Sequence, residues 1–295
     1  MLTPISEKTM KNYSSMKTGG TAKCAYFPET ETELSEIVKT LKNENKKYIV
    51  LGNMSNVLLP DEEIEVALIV TTEMKNVTKT GELTVYAEAG ASFTKLALDA
   101  SKSGLSGLEF AYGIPGSVGG AVYMNAGAYG GEAKDVIKSI KALDENGNVV
   151  TLSNEECDFG YRKSIFHNDK YVILGAEFEL TEKAADECVK YAKELMQKRV
   201  DKQPLEYPSC GSTFKRPEGY FAGALIEEAG LKGYSVGGAK VSEKHAGFVV
   251  NFDNATTDDV LSLMRNIREI VREKSGVTLE AEIKLLDKNG EFFSL

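Results

Sequence analysis

The chain has 295 residues, with 35 Lys and Arg against 44 Asp and Glu, giving a formal charge of −9 and a pI near 5.1. That surplus of acid disfavours nucleic acid as a partner, because phosphate backbones are bound by clustered Lys and Arg. At 42% hydrophobic and 27% charged residues, the composition is that of a soluble globular protein rather than a disordered, fibrous or membrane chain, and the length allows two or three domains.

Cys24, Cys157, Cys188 and Cys210 lie far apart with no C-x-x-C pair, which argues against a zinc site or a disulfide framework and fits a reducing compartment. The segment MLTPISEKTM has no basic stretch followed by an apolar one, and no run approaches the roughly 18 apolar residues that span a bilayer. The expected location is the cytoplasm, with no membrane partner. Only His167 and His245 are present, so a histidine-built metal centre is hard to assemble.

In chain order, Leu34, Ile37, Val38 and Leu41 recur at i, i+3, i+4, i+7 and predict an amphipathic helix. A short strand at Tyr48 to Leu51, the turn-prone Gly52-Asn53-Met54-Ser55-Asn56 and a second apolar run at Val66 to Val70 complete a small lobe over residues 1–72. Residues 73–184 hold strand-like stretches at Thr84 to Ala87, Val149 to Leu152 and Tyr171 to Leu180, a helix pattern after Ser92 and a glycine-dense middle. They predict an α+β lobe with a mixed or antiparallel sheet. A charged helix pattern from Glu182 to Arg199 and the proline-bearing DKQPLEYPSCGS open a third unit over 185–295. Its last helix is capped by Thr256 or Thr257 and carries Asp258 and Asp259 in its first turn. It buries Val260, Leu261, Leu263, Met264, Ile267, Ile270 and Val271, and ends at Gly276.

Two glycine stretches stand out. Consecutive N–H groups after a strand in GNMSN can wrap a diphosphate without basic residues, and they can equally form a plain turn. In GIPGSVGGAVYMNAGAYGG the glycines permit close approach, Ser117 adds a hydroxyl and Pro115 stiffens the chain; the other reading is a glycine-rich β-corner. Neither matches G-x-G-x-x-G or G-x-x-x-x-G-K-[ST], so a nucleotide here is held in another way.

Taken in order, Lys17-Thr18-Gly19-Gly20, Gly52 to Asn56, Gly113-Ile114-Pro115-Gly116-Ser117-Val118-Gly119-Gly120, Asn125 to Gly130, Tyr161-Arg162-Lys163-Ser164, Cys210 to Lys215, Val241 to Phe248 and Leu279 to Ile283 resemble the UDP-N-acetylenolpyruvoylglucosamine reductase (MurB) family over nearly the whole chain. The resemblance implies an α+β fold: a two-lobed FAD-binding module of the vanillyl-alcohol-oxidase (PCMH) type plus a C-terminal α+β substrate-binding domain. It implies tightly bound, non-covalent FAD, with Gly52, Asn53, Met54, Ser55, Asn56, Gly113, Ile114, Pro115, Gly116, Ser117, Gly119, Gly120 and Ala121 around it. NADPH is the implied co-substrate, and the implied reaction reduces the enolpyruvyl ether of UDP-N-acetylglucosamine to UDP-N-acetylmuramate for peptidoglycan synthesis, with ping-pong kinetics. No partner beyond these small molecules is implied, and a monomer is expected.

Three residues match the family's catalytic positions. Hydride delivery from flavin N5 to the vinyl carbon leaves an enolate beside the substrate carboxylate; Arg162 offers a planar, permanently charged fork to stabilise it. Ser212 is the family's proton donor to the enolate carbon. Its hydroxyl is weakly acidic, so nearby Lys215, Arg216 or Lys202 would have to stabilise the alkoxide. Glu280 matches the family's carboxylate near the substrate, with Glu282 as the alternative. Tyr123, Lys202 and Lys215 are the expected substrate contacts, Arg199 a further candidate cation, and His245 a hydrogen-bonded structural residue. Cys210 stays out of the mechanism for want of a histidine partner.

Asn53-Met54 stands where the family commonly has a glycine-rich pair, so Met54 is expected to pack on the flavin side while the backbone cradle persists. No inserted tyrosine-bearing loop is present, and the chain resembles the shorter, type II class. Two competing readings are a flavin oxidase on a small alcohol or sugar, and a nucleotide-sugar binding module without catalysis.

Overall fold

The computed structural model describes residues 3–295, which pack as two compact units. One is built mainly of Tyr26–Asn53 and Leu68–Arg199, the other of Ile5–Ala25, Met54–Ala67 and Val200–Leu295.

In the first unit Thr30 caps helix α1 (Glu31–Asn43), accepting from the Glu33 N–H at 3.2 Å. The buried face of α1 is Leu34, Ile37, Val38 and Leu41, the set whose spacing predicts it. Strand Tyr48–Leu51 follows. The body of the unit is a five-stranded antiparallel sheet in the order Val149–Ser153, Ile137–Leu143, Val172–Glu179, Thr84–Glu88, Val77–Lys79. Ala176 pairs with Ile140 on one side and with Ala87 on the other. Ser92 caps α2 (Phe93–Lys102) and Ser117 caps α3 (Val118–Met124). Phe93, fully buried, meets Phe110 edge-on at 6.1 Å and Phe178 at 6.3 Å between ring centres; truncating such a residue to alanine costs about 3–5 kcal/mol. Helix α4 (Ala185–Lys202) begins three residues later than its charge pattern suggests, because Thr181 and Glu182 instead pair as a strand with Ser106 and Leu105.

The second unit has its own core, in which Met16 and Leu58 pack with Leu225, Ile226, Val260, Met264 and Leu285. Strand Val57–Leu58 runs parallel to Lys284–Leu286, with Val57 opposite Lys284. A small antiparallel sheet joins Ser235–Val236, Ala239–Val241 and Val249–Asn251. Helix α5 (Ala222–Glu228) and helix α6 (Thr257–Ser275) pack with these strands. Thr256 and Asp259 form a capping box at the start of α6, and Gly276 at φ 74° closes its end. The expected apolar face of α6 is buried except Ile270, which is half-buried. No helix among the described residues is long and apolar enough to cross a membrane.

Candidate active site

Gly52 and Asn53 of the first glycine stretch meet the second stretch within the first unit, whereas Met54, Ser55 and Asn56 belong to the second unit. Asn53 Nδ2 donates to the Pro115 carbonyl at 2.6 Å, and a Cβ on Gly52 would lie 2.1 Å from Ser117 Oγ, so only glycine allows this approach. Their main-chain donors are used differently. The N–H groups of Gly116, Val118 and Gly119 are bound to the carbonyls of Ile114, Ala91 and Ala89. Among the described residues, by contrast, Gly52, Met54, Ser55 and Asn56 donate no main-chain hydrogen bond to another carbonyl. Unspent N–H groups along a turn are what an anionic diphosphate needs. The residues of the first stretch therefore fit the diphosphate of FAD as donors, and the second stretch carries glycine at Gly113, Gly116, Gly119 and Gly120.

Met54 takes φ 47° and is 3% exposed. The left-handed bend that glycine makes freely is thus kept by a methionine, at a conformational cost of about 1–2 kcal/mol.

Arg162 sits in a tight turn in which Gly160 and Lys163 exchange main-chain hydrogen bonds of 3.0 and 3.2 Å. It takes φ 53°, donates from Nη2 to the Gly127 carbonyl at 3.5 Å and lies 5.3 Å from the Tyr161 ring centre. Ser164 Oγ, two residues on, donates to the Tyr123 carbonyl at 2.7 Å, so the YRKS segment is tied to α3. Tyr123 packs on His167 with ring centres 4.2 Å apart, and burial, reinforced by Asp169, pushes its phenol up to about 12. Arg199 is buried beside Gly113 and lies 5.6 Å from the Tyr129 ring centre.

Ser212 and Glu280 belong to the second unit, on segments bound side by side. Phe214 bridges to Ala281, the Lys215 N–H donates to the Glu280 carbonyl at 2.8 Å, and the Glu282 N–H donates to the Thr213 carbonyl at 2.9 Å. Gly211 at φ 74° turns the chain so that Ser212 is exposed, while Thr213 and Phe214 are buried on either face of the anchor. Lys215 Nζ forms an ion pair with Glu280 Oε2 at 3.2 Å. Arg216 stacks over Phe221 at 4.0 Å, and Lys202 is exposed at the end of α4. Cys210 donates to the Val57 carbonyl at 3.5 Å, and burial pushes its thiol up to about 12.

His245 is the hydrogen-bonded structural residue that the sequence suggests, and its link onward to the serine loop is what sequence reasoning misses. Its Nδ1 accepts the Gly247 N–H at 3.1 Å, and the Gly247 carbonyl accepts the Thr213 N–H at 2.9 Å. An accepting Nδ1 requires the neutral ring, and burial lowers the His245 pKa accordingly.

The family model described as "FAD binding domain" matches residues 22–153, and that described as "UDP-N-acetylenolpyruvoylglucosamine reductase, C-terminal domain" matches 203–286. The UDP-N-acetylenolpyruvoylglucosamine reductase of Caldanaerobacter subterraneus subsp. tengcongensis is 48% identical over 277 residues, 94% of this chain and 91% of the relative. That of Clostridioides difficile is 45% identical, over 96% of this chain and 93% of the relative. The crystal structure of UDP-N-acetylenolpyruvylglucosamine reductase (MurB) from Thermus caldophilus superposes with a TM-score of 0.82 at 34% identity, covering 97% of this chain and 98% of that one. With an FAD-binding module followed by a C-terminal α+β domain, the chain belongs to the UDP-N-acetylenolpyruvoylglucosamine reductase family and is an FAD-dependent oxidoreductase.

Proposed function

We propose that the protein reduces UDP-N-acetylglucosamine enolpyruvate to UDP-N-acetylmuramate with NADPH, in the synthesis of peptidoglycan precursors. Bound FAD would supply the hydride-transfer chemistry that links NADPH to the vinyl carbon of the substrate. Gly52, Asn53, Met54, Ser55 and Asn56 would hold FAD, together with Gly113, Ile114, Pro115, Gly116, Ser117, Gly119, Gly120 and Ala121.

The chain's own residues handle charge and protons. Arg162 stabilises the enolate that forms when the vinyl carbon gains a hydride. Ser212 Oγ gives its proton to the carbon beside the substrate carboxylate and is reprotonated from solvent. Glu280, balanced by Lys215, orients the enolate and water, while Tyr123 and Lys202 contact the substrate. The observation that carries this reading is the pairing of the Ser212 loop with the Glu280 segment, two candidate groups far apart in sequence, through Phe214 and Ala281.

The proposal extends to a cytoplasmic monomer of the shorter type II class, with FAD lobes over 1–72 and 73–184 and a substrate domain over 185–295. The test is direct. As-purified protein should carry a flavin spectrum and, without air, oxidise more than one equivalent of NADPH per flavin only when the enolpyruvyl sugar is present, with UDP-N-acetylmuramate as product. Continued anaerobic turnover of NADPH without the sugar, or no turnover with it, overturns the proposal.

A further inference from the structure

The turn bearing Arg162 is gripped by one buried amide. Asn125 is 0% exposed and caps the end of α3 at φ 42°. Its Nδ2 donates to the Gly160 carbonyl and to Glu132 Oε2, each at 3.0 Å, and its Oδ1 accepts the Lys134 N–H at 3.0 Å. Both amide hydrogens and one acceptor site are therefore spent, on the 131–135 segment and on the turn at Gly160.

The two segments converge on Arg162. Gly160 is the root of the turn that presents it. Glu132 closes the hairpin Gly127–Ala128 with Gly131–Glu132, and the Gly127 carbonyl of that hairpin accepts from Arg162 Nη2. The Glu132 carboxylate is held below the usual range by its Lys134 hydrogen bond first, with Asn125 and Arg162 adding to the effect. Asn125 thus fixes both the backbone under Arg162 and the hairpin that receives its guanidinium.

We propose that Asn125 is a positioning residue for Arg162. The inference rests on reading Arg162 as the cation that meets the enolate. A cap for α3 would need only the left-handed backbone, which glycine adopts without strain. Asn125→Gly therefore separates the two roles, keeping the cap conformation and deleting the amide.

The experiment uses full-length flavoprotein under anaerobic conditions and follows flavin reduction by NADPH and flavin reoxidation by the enolpyruvyl sugar separately. In Asn125→Gly, reduction should stay within about twofold of wild type while reoxidation slows about tenfold to hundredfold, the scale of a misplaced reacting group. In an Arg162→Ala background the same change should add less than about twofold, because the two residues act as one unit. Hydrogen exchange at the Gly160 and Lys163 amides should quicken in Asn125→Gly, a readout independent of turnover. If Asn125→Gly loses its flavin, Glu132→Ala, which removes one acceptor of the amide, carries the same comparison. Wild-type reoxidation in these variants, or losses that multiply in the double variant, overturns the inference. Reoxidation unaffected by Arg162→Ala alone overturns the reading of Arg162 and the inference with it.

Discussion

Lys215 Nζ lies 3.2 Å from Glu280 Oε2, and the same two residues share a main-chain hydrogen bond of 2.8 Å. A proposed substrate contact and a proposed catalytic carboxylate are thus neutralised against each other at the surface, their side chains 45% and 74% exposed. An exposed pair of this kind contributes at most about 1 kcal/mol to folding. Lys215→Ala should therefore leave thermal stability nearly unchanged and act on the substrate, raising KM for the enolpyruvyl sugar without slowing flavin reduction. Melting curves and steady-state kinetics check both halves.

Met54 sets two costs against each other. Replacing it with glycine relieves about 1–2 kcal/mol of left-handed strain but removes a buried side chain, which costs about 2–5 kcal/mol. Burial outweighs the relief at the middle of these ranges: Met54→Gly should destabilise the protein by about 2 kcal/mol, within about 0–4 kcal/mol, and still bind flavin, since the bend itself is kept. Denaturant unfolding with a flavin assay of the native variant measures both.

The thiols divide by burial. Cys157, Cys188 and Cys210 are buried and Cys24 is half-buried. Burial pushes Cys157 and Cys210 up to about 12 and raises Cys188 as well, and thiolate is the reactive form. Native protein at neutral pH should take up alkylating reagent at Cys24 alone, as peptide mapping would reveal. Cys210→Ala should keep its reoxidation rate within about threefold, allowing for a small packing defect beside Ser212.

His245 predicts an acid limit. Burial first, then Lys232 and Lys202, lowers its pKa against the opposing pull of its own backbone and Glu227. The unfolded ring has a pKa near about 6.5, so below that value the unfolded chain binds a proton that the folded chain refuses. Stability from this group is complete above about pH 6.5 and is lost as the pH falls through the folded value. Thermal melts across this range should fall less steeply for His245→Gln than for wild type; parallel curves would remove the role assigned to the neutral ring.

Local signals were legible in the sequence and long-range ones were not. The capping box and terminal glycine of α6 and the apolar face of α1 depend on neighbours within two turns, and both helices form as their patterns require. The onset of α4 is displaced because Thr181 and Glu182 answer to Leu105 and Ser106, a pairing that no window around residue 182 contains. Val57 pairing with Lys284 is the extreme case, and it puts Met54–Ala67 in the same unit as the C-terminal segments. At the site, residue identities could be read from motifs, whereas the supports could not. Asn125 gripping Gly160 and His245 reaching Thr213 through Gly247 are hydrogen bonds between loops, and they leave no periodicity to detect.

The account turns on Ser212 as the proton donor, and the two half-reactions of Ser212→Ala test it most directly. Mixed anaerobically with NADPH, the variant should bleach its flavin at close to the wild-type rate. Mixed next with the enolpyruvyl sugar, the reduced protein should recover its colour at least about a hundredfold more slowly, the contribution expected of a positioned general acid. Recovery at the wild-type rate, or an equal loss in both steps, would contradict it.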